Sequence, residues 1–120
     1  MEFNVSGVKR CCKAVIPHLR ANGRGRIINI ASLATVFGIP NALHHATLKA
    51  AVIDMTRSMA RELGCSWIRV NVIAPSAVMT EETKEVFGKR LEKAKQVIAG
   101  GQIQILLVRS DICSATNTSL

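Results

Sequence analysis

The sequence predicts an α/β domain with parallel strands, and three observations carry that prediction. Two short runs rich in β-branched residues, Arg26 to Ile30 and Ile68 to Ile73, are each bounded by glycine or proline and read as buried strands. Longer stretches with apolar residues at three- and four-residue spacing precede, separate and follow them. The resulting order is helix, strand, helix, strand, helix, and such alternation argues for parallel strands joined by right-handed crossovers.

The first helix is expected over residues 4 to about 21. Val5, Val8, Cys12, Val15 and Leu19 form one apolar stripe. Pro17 should kink this helix or open its last turn, and Asn22-Gly23 followed by Gly25 should end it. After the first strand, Ala31 to Leu43 reads as a loop broken by Gly38 and Pro40. Residues 42 to 64 give the strongest helix signal, with Ala46, Ala50, Ala51, Ile53, Met55, Met59 and Leu63 ahead of Gly64. Its apolar residues fall on more than one face, which predicts cover on two sides. Pro75 follows the second strand. Residues 80 to 98 then read as one or two helices of mixed charge, broken by Gly100-Gly101, and residues 111 to 117 could start another. Two strands make a poor sheet alone, because they expose their edges and faces unless something covers them.

Composition limits the function classes. A chain of 120 residues is enough for one domain, and 48% apolar content permits a core. No apolar run approaches the roughly 20 residues of a membrane span, and the opening MEFNVSG is not a signal peptide, so a cytoplasmic protein is expected. The net charge of +8 could serve nucleic acid, an anionic surface or an anionic cofactor. With no Tyr, three Phe and one Trp, the aromatic interleaving of a nucleic-acid surface is missing. The basic cluster Lys84, Lys89, Arg90, Lys93 and Lys95 alternates with Glu82, Glu85 and Glu92, as on a solvated helix. The four cysteines, Cys11, Cys12, Cys65 and Cys113, form no C-x-x-C pair and are expected to be reduced and mostly buried. Neither Cys11-Cys12 nor His44-His45 makes a bidentate metal clamp, since adjacent helical residues point about 100° apart, and no metal site is expected.

Three strings carry a resemblance: GRGRIINIAS, then H-A-T-L-K-A-A-V, then ARELGCSWIRVNVIAPSAVMT. They are similar to the short-chain dehydrogenases/reductases, clearly over residues 4–80 and weakly over 81–120, so that 1–120 reads as a single partial domain of that family. The resemblance implies a Rossmann-like, doubly wound parallel sheet of roughly 250 residues with a dinucleotide across the strand ends. The chain contains no G-x-G-x-x-G, so it resembles the middle-to-late part of that domain, without the glycine-rich turn that holds the pyrophosphate.

The family's catalytic set is Asn, Ser, Tyr and Lys, and the resemblance places it residue by residue. Asn4, with Gly7 after it, matches the Asn that opens a helix; Ser32 matches the Ser that follows a strand. The Tyr lies thirteen residues after the Ser in Y-x-x-x-K, and here that position is His45, four before Lys49. The chemistry needs these groups because a hydride moves between nicotinamide and a carbonyl or alcohol carbon while a proton moves at the substrate oxygen. The Tyr hydroxyl does the latter, assisted by the lysine cation one turn away. The Ser donates to the oxygen where charge develops, and the Asn holds a water on the proton path. An imidazole at position 45 can be acid or base near neutral pH, but it is shorter than a phenol and aims its nitrogens elsewhere. The segment Asn71 to Ser76, with Thr80 downstream, resembles the family's N-x-x-x-P-G turn and T. It implies cofactor contacts from Lys49, Pro75, Ser76, Val78 and Thr80, with residues 79 to 98 as a substrate-covering segment.

The resemblance therefore implies an NAD(P)-dependent oxidoreductase acting on a small alcohol or carbonyl compound, impaired in this chain. It implies NAD or NADP as cofactor and a homo-oligomer or pairing with a relative, without nucleic-acid or membrane partners. The alternatives are a non-catalytic fragment that pairs with full-length relatives through the two long helices, and a truncated gene product without function.

Overall fold

A computed structural model of the chain describes residues 2–38 and 40–75. A π-helical turn, Glu2–Ser6, leads directly into α1 (Gly7–Ala21). Strand β1 (Gly25–Ile30) follows, then a four-residue helix α2 (Ala34–Phe37), the long helix α3 (Leu43–Leu63), a 3₁₀ turn (Gly64–Ser66) and strand β2 (Ile68–Ile73). The two strands pair in parallel with Gly25 opposite Ile68 and Ile30 opposite Ile73. The expected order of helix, strand, helix, strand is thus observed. The helices expected over 80–98 and 111–117 lie outside the described residues.

The period of two along a strand sorts its side chains onto two faces. Ile27 and Asn29 of β1, with Ile68, Val70 and Val72 of β2, point toward the helices and are buried. Cys12 of α1 and Ala60 and Leu63 of α3 join Ile27, Ile68 and Val70 in one cluster, onto which Val8, Ile16, Leu19 and Met59 pack. A second cluster of Ile53, Val72, Ala31 and Ala74 continues the core past the strand ends. Full burial of an aliphatic side chain of this size stabilises by about 1.5–3 kcal/mol. Among the described residues nothing covers the opposite face: Ile28 and Ile30 are 58% and 51% exposed, where the composition of β1 suggested burial on both faces.

Several local expectations are corrected. Val15 is exposed and Ile16 takes its place on the packed face of α1; spacings of three and four both fit the sequence, and docking on Ile27 and Val70 selects one. The loop from Ala31 to Leu43 contains α2. Helix α3 buries one stripe, Val52, Ile53, Thr56, Ala60 and Leu63, while Ala50 is exposed; besides the sheet, it meets α2 and the π-helical turn. Cys11 and Cys65 are exposed and only Cys12 is buried among the described cysteines. The end of α1 does follow the expected chemistry: Asn22 caps it, and Gly23 adopts φ +69°, the left-handed conformation glycine tolerates best.

Candidate active site

Ser32, Lys49 and Pro75 come together where both strands end. Parallel pairing continues past Ile30 and Ile73: the Ala31 amide donates to the Ile73 carbonyl at 2.8 Å, and the Leu33 amide donates to the Pro75 carbonyl at 3.0 Å. These bonds lay the segment carrying Ser32 alongside Pro75. Ser32 is half-buried. Its hydroxyl accepts from the Ala34 amide at 3.3 Å, and its carbonyl accepts from the Thr35 hydroxyl at 2.9 Å. Ser32 therefore nucleates the turn into α2, and among the described residues its hydroxyl hydrogen has no acceptor.

Lys49 comes to the same place from α3. Its ammonium donates to the Ile30 carbonyl at 3.0 Å, two residues before Ser32. The contact sets the cation at the carboxyl end of β1. The bond is at the surface, so two of the three ammonium protons remain for other acceptors.

His45 and Asn4 are placed differently. His45 lies one turn before Lys49 on α3 and is exposed, with no hydrogen bond among the described residues. Positions i and i+4 share a face, so its imidazole projects from the same side of α3 as the lysine. Asn4 sits inside the π-helical turn and is exposed. It neither opens α1 nor caps it: Ser6 precedes α1 and makes no side-chain cap. The turn packs against α3, which brings Asn4's element, though not its side chain, to the helix bearing His45 and Lys49. Ser76, Val78 and Thr80 lie outside the described residues.

The sequence reading passed over one polar group of this region. Asn29 and Thr56 are buried polar side chains, 6% and 0% exposed, joined at 2.9 Å between β1 and α3. A signal was present: residues 27 and 29 share a strand face, so an Asn at 29 in a buried run demands a partner. Cys12 touches the same Asn, and burial, with Cys11 beside it, pushes the Cys12 thiol pKa up. Among the described residues no group of three His, Cys, Asp or Glu comes together, and no helix is long and apolar enough to cross a membrane.

This arrangement of a cation and a hydroxyl outside the carboxyl ends of parallel strands is where α/β sheets bind their ligands. Comparison with known proteins identifies the family. A family model described as enoyl-(acyl carrier protein) reductase matches residues 1–106. The chain belongs to the short-chain dehydrogenase/reductase family, and its architecture is a partial Rossmann-like fold. It is similar to 2-(R)-hydroxypropyl-CoM dehydrogenase of Xanthobacter autotrophicus, at 38% identity over 70% of this chain and 34% of that protein. It is also similar to a 3-oxoacyl-(acyl carrier protein) reductase of Vibrio cholerae, at 37% identity over 83% of this chain and 41% of the relative. Among solved structures, NAD+-bound xylitol dehydrogenase superposes with a TM-score of 0.65 at 36% identity, over 77% of this chain and 35% of the other. Acetoin dehydrogenase of Salmonella typhimurium gives 0.62 at 37% identity, over 65% and 33%. The chain thus spans about a third to two fifths of the length of these relatives.

Proposed function

We propose that this chain carries the reaction-side portion of an NAD(P)-dependent oxidoreductase for a small alcohol or carbonyl compound, with the proton-transfer position impaired by His45. The observation that supports this most is the Lys49 ammonium held on the Ile30 carbonyl beside Ser32. A cation and a hydroxyl side by side at the carboxyl ends of both strands support this reading. The relatives named as dehydrogenases and reductases support the reaction class, and the NAD+-bound neighbour supports the cofactor class.

The described residues fit one end of a nicotinamide dinucleotide. Lys49 has ammonium protons to spare for ribose hydroxyls, and the Pro75 segment runs beside Ser32. A bound nicotinamide would supply or accept the hydride. The chain's own residues then have three tasks. Ser32 donates to the substrate oxygen, Lys49 orients the ribose and supplies positive charge, and residue 45 must exchange a proton with that oxygen. Proton transfer needs heavy-atom contact of about 2.6–3.2 Å. An imidazole is shorter than a phenol, which is the physical reason for expecting slow turnover.

Thermal unfolding with NADH and with NADPH tests the binding half. A ligand specific to the folded state at 100 times its Kd stabilises by about 2.7 kcal/mol, so an upward shift with one of the two is expected at millimolar concentration. Hydride transfer by His45→Tyr, followed at 340 nm against wild type, tests the chemical half. A gain of about 10²–10⁴ is expected, the usual worth of a positioned acid or base. No shift with either cofactor, together with an inert His45→Tyr variant, would refute the proposal.

A further inference from the structure

The face of β1 that meets the helices is apolar except at Asn29. Its amide donates to the Thr56 hydroxyl at 2.9 Å, and that hydroxyl donates in turn to the Val52 carbonyl at 2.7 Å. The Asn29 side-chain oxygen lies 3.8 Å from the Cys12 sulfur, within range of a weak thiol donor. One side chain of β1 thereby ties α3 by a strong bond and α1 by a weak one. No buried side-chain polar atom among the described residues is left without a partner.

The position of this tie matters more than its existence. Asn29 immediately precedes Ile30, whose carbonyl holds Lys49. Thr56 follows Lys49 by seven residues, which is two helical turns, about 10.5 Å of rise and a net rotation of about 20°. Both residues therefore face β1 along one line of α3, and α3 is fixed to the strand at two heights. The intervening contacts of Val52 and Ile53 are apolar and non-directional. A hydrogen bond, by contrast, weakens steeply outside a window of a few tenths of an ångström. The buried bond is the one directional contact between α3 and β1, among the described residues, that is shielded from water.

We propose that Asn29 and Thr56 are positioning residues. Their buried bond sets the register of α3 on β1 and so keeps Lys49 on the end of the strand beside Ser32. The consequence for catalysis rests on the function proposed above; the register claim itself does not.

The test reads the Lys49 contact without any cofactor. The carbonyl carbon shift of Ile30 reports whether that oxygen accepts a hydrogen bond, and Lys49→Met supplies the value for the free carbonyl. Thr56→Val keeps the shape and removes the hydroxyl. Its Ile30 shift is expected to move at least halfway from the wild-type value toward that of Lys49→Met. Thr56→Ser, which restores the hydroxyl, is expected to return to the wild-type value although it loses a buried methyl group. Asn29→Leu breaks the same bond from the other side and serves if Thr56→Val does not fold. An Ile30 shift unchanged in Thr56→Val or Asn29→Leu, with only the melting temperature lowered, would overturn the positioning role. Failure of both to fold would overturn it too, by making the bond a requirement of the fold. Because no cofactor is added, a chain that proves inactive leaves this result standing.

Discussion

Gly25 offers a sharp test of how α1 sits on the sheet. It opens β1 opposite Ile68, and its amide donates to the Trp67 carbonyl at 3.3 Å. A Cβ placed there would meet Leu19 of α1 at 2.8 Å from one terminal methyl, 2.9 Å from the other and 2.9 Å from the Leu19 Cβ. The terminal methyls can rotate away, but the Cβ cannot move without the helix. Gly25→Ala should therefore push out the last turn of α1 at a cost of about 1–3 kcal/mol. The lower chain entropy of alanine in the unfolded state offsets about 0.5–1 kcal/mol of this. A net loss of up to about 2.5 kcal/mol is expected, read as a lower urea midpoint at unchanged slope. The control is Gly23→Ala, where nothing lies within 4 Å and only φ +69° opposes a side chain. Its loss of about 1 kcal/mol should vanish in Gly23→Asn, because Asn tolerates the left-handed region. In a Leu19→Ala background two of the three close contacts at Gly25 are gone, and Gly25→Ala should cost at least 0.5 kcal/mol less. Strict additivity of Leu19→Ala and Gly25→Ala would refute the close packing of α1 on the start of β1.

Two further outcomes follow from single residues. The Cys12 thiol, its pKa raised by burial and then by Cys11, stays protonated in the folded chain while the unfolded chain releases its proton near the ordinary value of about 9. Its contribution is therefore complete below that pH and is lost as pH rises toward the folded value, with a limiting slope of about 1.4 kcal/mol per pH unit. Melting curves from pH 7 to 10 should show Cys12→Ala losing less stability at the alkaline end than wild type, and parallel curves would contradict this. Trp67 holds φ 57° with 79% of its surface exposed. Trp67→Gly should raise the urea midpoint, followed by circular dichroism, by a few tenths to about 1 kcal/mol, as left-handed strain is relieved against the entropy of glycine; a fall would show that the indole packs usefully.

What the sequence disclosed and what it hid have physical reasons. The strands were legible because β-branched runs end at Gly25 and near Pro75, and α3 was legible because 21 residues contain neither glycine nor proline. The short helix α2 was not, because four residues carry no period and Leu33 ahead of it makes no side-chain cap. The rotation of α1 was ambiguous between Val15 and Ile16 until the sheet chose. At the candidate site, the His45 to Lys49 spacing is visible in one dimension because four residues make one turn. The partner of Lys49 is a main-chain carbonyl, which every residue possesses, so no pattern of side chains could have announced it. Asn29 announced a need for a partner without saying that Thr56, 27 residues away, would meet it.

The described residues separate two properties that an enzyme of this family combines. The anchoring of Lys49 draws on β1, α3 and the core between them, where Val52, Ile68, Val70 and Val72 are wholly buried. The other side of the sheet presents Ile28 and Ile30 to solvent and sets Arg26 directly beside Arg69 in the ladder. Exposed isoleucines favour cover, whereas the paired arginines repel least when solvated. Covering Ile28 and Ile30 alone would raise stability. Mutations on that face should thus change how firmly the chain folds, and mutations along the Thr56 to Lys49 line of α3 should change where its cation sits.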